Sequence, residues 1–488
     1  RITMNGYVIS IDQSTQSTKA ILFDEKGNIV KRVDKKHEQL INEKGYVSHD
    51  PIEIYHNTIE AVTELIRVTR VDKKLIQALG ISNQRETTVM WDGKGKPYDD
   101  AVVWQCNRAK DIASRYVDYK EEIYDITGLP LSPYFPACKM RWLIENVCPS
   151  NTFYFGTIDT WLVYCLTNKQ SYKTDASNAS RTQLFDIHTG SWSQRLCDLF
   201  EIPMESLPEV CDSNACFGYT DFEGLFDNPI PIYGVLGDSH AALFGQGCHE
   251  KGQVKTTLGT GSSIMMNIGE EYKKSQNGLA TSLAWRIDGK TEYVFEGNIN
   301  YAGAVITWLI NDLKMITNPN ESSYCIEQAN MSDETILVPA FSGLSAPYWN
   351  DDVRAMFYGM SRTTGRNEMV KAAVESIAYQ ITDILNGMAS DSSLAIHQVK
   401  ADGGPSKNMY LMQFLSDMAR TTVSVSKQEE LSAIGAAYLA GISVGLYNKE
   451  ELFSSREYTD YSYRLPVSEW KQKMNRWYDA IKVLLKEC

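Results

Sequence analysis

The sequence predicts an α/β protein. Three observations carry this: short apolar strands alternate with segments of helical periodicity, a hairpin with a small polar turn occurs twice, and the composition supplies a large core. The 488 residues are 43% apolar and 22% charged, the balance of a folded globular chain with room for several domains rather than a disordered or collagen-like one.

Taken in order, Tyr7–Asp12 reads as an apolar strand ending in a carboxylate. The turn Gln13-Ser14-Thr15-Gln16-Ser17 follows, then a second strand, Thr18–Phe23. Lys26-Gly27-Asn28 turns the chain again before Ile29-Val30. Asp50-Pro51-Ile52-Glu53 opens a helix, with Asp as N-cap and Pro at the first helical position. Ile52, Tyr55, Ile59, Val62 and Ile66 mark its expected apolar face. The strand Ile76–Ile81 leads into Asn83-Gln84-Arg85-Glu86, and Ile232–Leu236 leads to Asp238. From pattern alone Asp238 reads as the N-cap of a helix through Ala241–Phe244, and His240 as structural. Near mid-chain, Gln253–Leu258, the turn Gly259–Ser263 and Ile264–Met266 form the second hairpin. The seam between two related halves is expected near Gly245–Gly252. The uncharged run Leu431–Tyr447 is too short for a membrane span and predicts a buried helix packed through small residues. Gly441-Ile-Ser443-Val-Gly445 fits a hydrolase nucleophile elbow but lacks its strand-turn-helix context.

Charge narrows the partners. Lys plus Arg total 48 against 61 Asp plus Glu, a net charge of −13, which disfavours nucleic acid and anionic membranes. A bound phosphate must then be held by backbone N–H groups and a metal. Ten cysteines without a Cys-x-x-Cys pair predict reduced thiols in a cytoplasmic protein. Arg1-Ile2-Thr3 reads as a remnant ahead of an initiator Met4, and nothing there resembles a signal peptide. The seven histidines show no metal-ligand spacing.

Small residues at a hairpin turn let N–H groups approach anionic oxygens. The two turns, aligned on Thr15 and Thr260, read as one device used twice, able to grip a phosphate chain from both sides. Asp12, at the strand end before the first turn, is placed to hold the Mg2+ that accompanies a nucleotide. No Gly-x4-Gly-Lys-Ser/Thr loop occurs, and Gly259-Thr-Gly261 lacks the third glycine of a dinucleotide fingerprint.

Longer motifs carry a resemblance. YFPACKMRWLIEN at 134–146, GMSR at 359–362 running on to ESIAYQ at 375–380, SNQRETT at 82–88, VVWQCNR at 102–108, GTIDTWL at 156–162, NASRT at 178–182 and SGLSAPYW at 342–349 occur in the order seen in the FGGY carbohydrate kinases. The chain resembles that family over nearly its whole length, and within it the glycerol kinase branch. The resemblance implies two actin-like, ribonuclease H-like ATPase domains with a cleft between them, divided here as 1–248, polyol-binding, and 249–488, nucleotide-binding. It implies ATP-dependent phosphorylation of a small polyol or sugar, with ATP and Mg2+ as cofactors. A homo-oligomer is left open, and no nucleic-acid or membrane partner is expected.

Carried over by position, Asp238 matches the catalytic base and Asp12 the metal-associated carboxylate, with Asp238 beside the metal. Arg85, Glu86, Trp104 and Tyr134 match polyol-holding residues. Thr15, Gln16, Ser17, Lys19, Thr260 and Gly261 fall on the phosphate turns, and Gly303, Thr307, Gly404 and Asn408 on the adenine-nucleotide side. The departures lie at the substrate. Ser239 stands where glycerol kinases carry Gln, and Ser263 where they carry Phe. Losing an aromatic wall forfeits up to about 1.5–3 kcal/mol of burial, and losing a hydrogen bond about 0.5–1.5 kcal/mol. Four- or five-carbon polyols and ketoses thereby become expected substrates alongside glycerol. Ser14 and Gln16 replace a Gly and a Thr in the first turn, and Thr307 replaces a Gln. The Gly-Gly-x-Arg loop that binds an allosteric sugar bisphosphate in some relatives is absent at Asp227-Asn228-Pro229. Two readings compete: an actin-like ATPase scaffold, which has no need of a polyol cluster, and a serine hydrolase built on Ser443.

Overall fold

A computed structural model describes residues 6–150 and 152–486, so the reading of Met4 as initiator lies outside the described residues. Two mixed sheets organise the chain. In the first, Tyr7–Gln13, Ser17–Phe23 and Ile29–Lys36 form an antiparallel meander. Ile76–Asn83 and then Ile230–Gly237 add in parallel beside the first strand, and the antiparallel Tyr219–Thr220 closes the edge.

The second sheet repeats this plan. Val254–Leu258, Ser262–Gly269 and Lys290–Ile299 make the meander, extended by Ala280–Ile287. Gln398–Asp402 and Thr422–Ser426 add in parallel, and Tyr458–Tyr461 closes antiparallel. Both predicted hairpins are present, each at the centre of its sheet. Their turns therefore sit at the ends of buried strands, where small side chains leave room for a ligand. This duplicated meander-plus-parallel plan is the one expected of paired actin-like domains.

The helix Pro51–Thr69 starts as its sequence dictates, the Asp50 carboxylate accepting from the Ile52 N–H at 2.9 Å. Its buried face is rotated from the expected one. Ile54, Thr58, Ala61, Val62, Leu65 and Ile66 are buried, while Ile52 is exposed. Two apolar stripes overlap in this sequence, and the one buried follows the 4-3-4 spacing of residues 54, 58, 61 and 65, where Thr58 is tolerated because its hydroxyl donates to the Ile54 carbonyl at 2.8 Å.

A third sheet of five short strands, Leu40–Ile41, Val47–His49, Ala101–Val102, Thr88–Asp92 and Phe153–Thr157, was not foreseen. Strands of two to five residues leave no alternation to read. It matters because its connections deliver Arg85, Glu86 and Trp104.

The uncharged run forms the buried helix Leu431–Ser443, as expected. It returns to the first sheet, packing on Ile76–Asn83 and on the helix Asp238–Gly245. The approach is close enough that a Cβ on Gly435 would stand 1.8 Å from the Ala241 carbonyl oxygen. Ser443 donates to Leu439 at 2.7 Å within this helix, so no nucleophile elbow exists there. Separate apolar cores fill the two halves, and a third lies between them around this helix. Nine cysteines among the described residues are unpaired, and no helix there is long and apolar enough to cross a membrane.

Candidate active site

The first turn closes on itself: the Ser14 N–H donates to the Ser17 carbonyl at 2.8 Å and the Ser17 N–H to the Ser14 hydroxyl at 3.2 Å. The second is anchored from behind. Gly259 accepts from the Gly303 N–H at 2.9 Å, and Thr260 accepts from Ala302 and Ala304 at 2.9 and 3.0 Å. Gly303 thus begins the helix Gly303–Asn311 directly against the turn.

The two turns face one cavity of about 790 Å³, lined by Thr15, Gln16, Ser17, Lys19, Trp104, Tyr134, Thr260, Gly261 and Ser263 among others. A second cavity of about 520 Å³ shares Thr260 and is lined by Gly303, Thr307, Gly404 and Asn408. Sequence reasoning assigned Thr15, Gln16, Ser17, Lys19, Thr260 and Gly261 to phosphate and Trp104, Tyr134 and Ser263 to the acceptor, and these share the first cavity; Gly303, Thr307, Gly404 and Asn408, assigned to the adenine nucleotide, line the second. Not every member is free to bind. Lys19 pairs with Glu430 at 3.1 Å. Asn408 caps the helix Met409–Ala419 by accepting from the Leu411 N–H at 3.0 Å, and its amide donates to the Ser322 hydroxyl at 3.3 Å. Trp104 edges onto Tyr134, centroids 5.6 Å apart, and its indole N–H donates to the Thr15 hydroxyl at 2.9 Å, so it braces the first turn as well as walling the cavity.

Asp238, Arg85 and Glu86 form a charged group beside this cavity rather than on the wall just described. Asp238 is the first residue of the helix Asp238–Gly245; Gly237 occupies the N-cap, which corrects the capping expectation. Its carboxylate takes the neighbouring Ser239 N–H at 2.7 Å and lies 3.4 Å from the Arg85 Nε, with 38% of the side chain exposed. Burial raises its pKa above the ordinary value, against the pull of Arg85. Glu86 has a left-handed backbone (φ 65°), which turns its side chain onto Arg181 at 2.8 Å.

Asp12, the last residue but one of its strand, is 7% exposed and accepts from the Ser82 hydroxyl at 3.2 Å. Burial pushes its pKa up to about 7; Lys19 opposes the rise, and the negative charges of Asp238 and Glu430 add to it. Asp12 and Asp238 are therefore two acids near enough for the charge of Asp238 to raise the Asp12 pKa. Such a pair suits a hard divalent ion that takes one or two carboxylates and completes its shell with water and phosphate oxygens. No group of three or more His, Cys, Asp or Glu side chains placed to hold a metal gathers among the described residues, here included, so water and phosphate oxygens would have to supply most of the shell.

Sequence reasoning missed the partners that hold this group. Glu296, from the second sheet and wholly buried, grips Arg85 through two oxygens at 2.8 and 3.3 Å and Arg181 at 3.1 Å. Burial would raise its pKa, yet the two guanidinium groups hold it well below the carboxylate range. Lys255 is also wholly buried. The available signal was a lone charge inside an apolar strand, as in Tyr293-Val294-Phe295-Glu296-Gly297, which folding tolerates only when the charge is paired.

Comparisons with known proteins agree with this geometry. The N-terminal domain of the FGGY family of carbohydrate kinases matches residues 7–245, and its C-terminal domain matches 254–444. Glycerol kinase 1 of Thermotoga maritima is 44% identical, covering 99% of this chain and all of that protein. The Plasmodium falciparum glycerol kinase solved with ADP superposes with a TM-score of 0.93 at 36% identity, covering 99% of this chain and 98% of that one. A gluconate kinase from Lactobacillus acidophilus, 22% identical and covering 99% and 98% of the two chains, shares the fold with a TM-score of 0.90. With paired actin-like domains, two facing turns and a buried acidic cluster, this chain belongs to the FGGY family of carbohydrate kinases and is an ATP-dependent carbohydrate or polyol kinase.

Proposed function

We propose that the enzyme transfers the γ-phosphoryl group of ATP to a primary hydroxyl of a three- to five-carbon polyol or ketose, with Asp238 as the base. The carrying observation is the Asp238 carboxylate, 3.4 Å from Arg85 and next to Asp12, beside a cavity bounded by both turns. Phosphoryl transfer asks for positioning and charge neutralisation. Asp238 orients the acceptor hydroxyl and takes its proton; its raised pKa makes it a better base than an ordinary carboxylate. Arg85 and Glu86 hold neighbouring hydroxyls, and Trp104 and Tyr134 give the carbon chain an apolar wall. The N–H groups of the two turns receive phosphate oxygens, with Gly303, Thr307, Gly404 and Asn408 around the nucleoside. Asp12, with Asp238, would hold Mg2+, which when bound neutralises phosphate charge.

The relatives named glycerol kinase support a glycerol-like acceptor. Ser239 and Ser263, both partly exposed here, support one larger than glycerol. A division at residue 248 agrees with the turn-rich passage 246–252 between the sheets, and a reducing, cytoplasmic setting agrees with the unpaired thiols.

ADP release measured over glycerol, erythritol, threitol, xylulose and ribulose tests the reading. Asp238→Asn is expected to lower kcat on the preferred acceptor by about 10²–10⁴ while ADP still binds. In the wild type, kcat/KM should fall on the acid side with an inflection above the ordinary carboxylate range. Unchanged turnover in Asp238→Asn would sink the assignment and leave an ATPase scaffold as the better description.

A further inference from the structure

Lys255 lies in the middle of the second sheet, on Val254–Leu258, with no exposed surface. An ammonium has three protons to donate and no lone pair. Those of Lys255 go to the Thr257 hydroxyl at 3.1 Å, the Ser263 hydroxyl at 3.3 Å and the Ser263 carbonyl at 3.4 Å, none of them on a carboxylate. Each hydroxyl, having accepted from a cation, becomes a stronger donor in its turn. The Thr257 hydroxyl donates its hydrogen bond to Asp402 Oδ1 at 3.0 Å. Ser263 meets no acceptor of its own among the described residues, and it stands half-buried on the wall of the 790 Å³ cavity. The two serine and threonine hydroxyls are thus wired alike, except that one circuit ends on the protein and the other on the cleft.

We infer that Ser263, polarised by the buried Lys255, is a hydrogen-bond donor for a second region of the acceptor substrate, so that the pocket selects polyols or ketoses longer than three carbons. The inference rests on the proposed kinase reading and deepens it. Glycerol has three hydroxyls. On that reading one faces Asp238 and the other two are assigned to Arg85 and Glu86, so glycerol would leave Ser263 facing carbon or water. A fourth oxygen, a hydroxyl or carbonyl on a longer chain, gives it a partner, and a donor covered by bound substrate without one is costly. The same logic explains why a serine is tolerated here at all. Its oxygen helps satisfy a buried cation that has no counter-ion in direct contact.

The test compares the full-length wild type with Ser263→Ala, Ser263→Thr and Lys255→Met. It measures kcat/KM for glycerol, erythritol, xylulose and ribulose together with the KM for ATP. Ser263→Ala removes the donor and one of the three acceptors of Lys255, leaving the Thr257 hydroxyl and the Ser263 carbonyl in place. It should lower the ratio of the best longer acceptor to glycerol by about tenfold, with the ATP KM within about twofold. Ser263→Thr, which keeps the donor, should restore most of that ratio, and Lys255→Met should lower it with Ser263 still present. A ratio unmoved by Ser263→Ala in an active enzyme would overturn the inference while leaving the kinase reading intact. So would a wild type that uses glycerol alone, or a loss confined to the ATP KM, which would put the serine on the nucleotide instead. Failure of the wild type to release ADP with any polyol or ketose would bring down the kinase reading and this inference with it.

Discussion

Asp12 is ionised at neutral pH only at a cost. Its folded pKa of about 7 exceeds the unbound value of 3.8, so between those values the folded state holds more protons than the unfolded one. The contribution of this residue to stability is therefore greatest below about pH 4, falls as pH rises and is lost above about pH 7. At about 1.4 kcal/mol per pH unit, the penalty above pH 7 is on the order of 4 kcal/mol. Asp12→Asn should accordingly melt at a higher temperature than the wild type at pH 8, with the gap closing at pH 4, while phosphorylation is largely lost. A lower melting temperature for the variant at pH 8 would contradict the burial argument. At this scale the sequence was readable where an acid stands near the end of an apolar strand, as at Asp12 and, one residue beyond its strand, at Asp238. It was unreadable where the partner comes from another sheet: nothing near Arg85 in the chain points to Glu296.

Elements follow the same division. Strand hairpins and capped helices are local, so Tyr7–Gln13, Ser17–Phe23 and the Asp50-capped helix stand where their residues place them. Which stripe of that helix turns inward is a tertiary matter, and there Ile54 displaced Ile52. The five-stranded sheet escaped notice because each of its strands is too short for a period to register. The helix Leu431–Ser443 was legible as buried from its small residues, but not where it docks. Its contact offers a clean check. Gly435→Ala puts a methyl group 1.8 Å from the Ala241 carbonyl oxygen, in backbone that cannot step aside cheaply, and should cost about 1–3 kcal/mol. Thermal unfolding should register the loss, whereas the same change at Gly404, where an added Cβ meets nothing within 4 Å, should be nearly silent in stability.

Over the whole molecule, the two halves are joined where the acceptor is proposed to bind. Glu296 belongs to the second sheet, Arg85 and Arg181 to the first half, and their pairing leaves all three side chains buried. Removing one partner of such a set strands the others without counter-charge, at about 3–5 kcal/mol. Glu296→Ala should lower the urea midpoint by a corresponding amount and raise the KM for the acceptor far more than the KM for ATP. Equal rises in both would mean that the carboxylate supports the lobe in general rather than the aim of Arg85.

The path of the chain carries its own consequence for synthesis. Since Leu431–Ser443 roofs strands laid down by residues 7–83, an emerging polypeptide keeps an uncovered greasy floor until nearly nine-tenths of it has been translated. Whatever shields nascent chains has to wait on this one almost to its end.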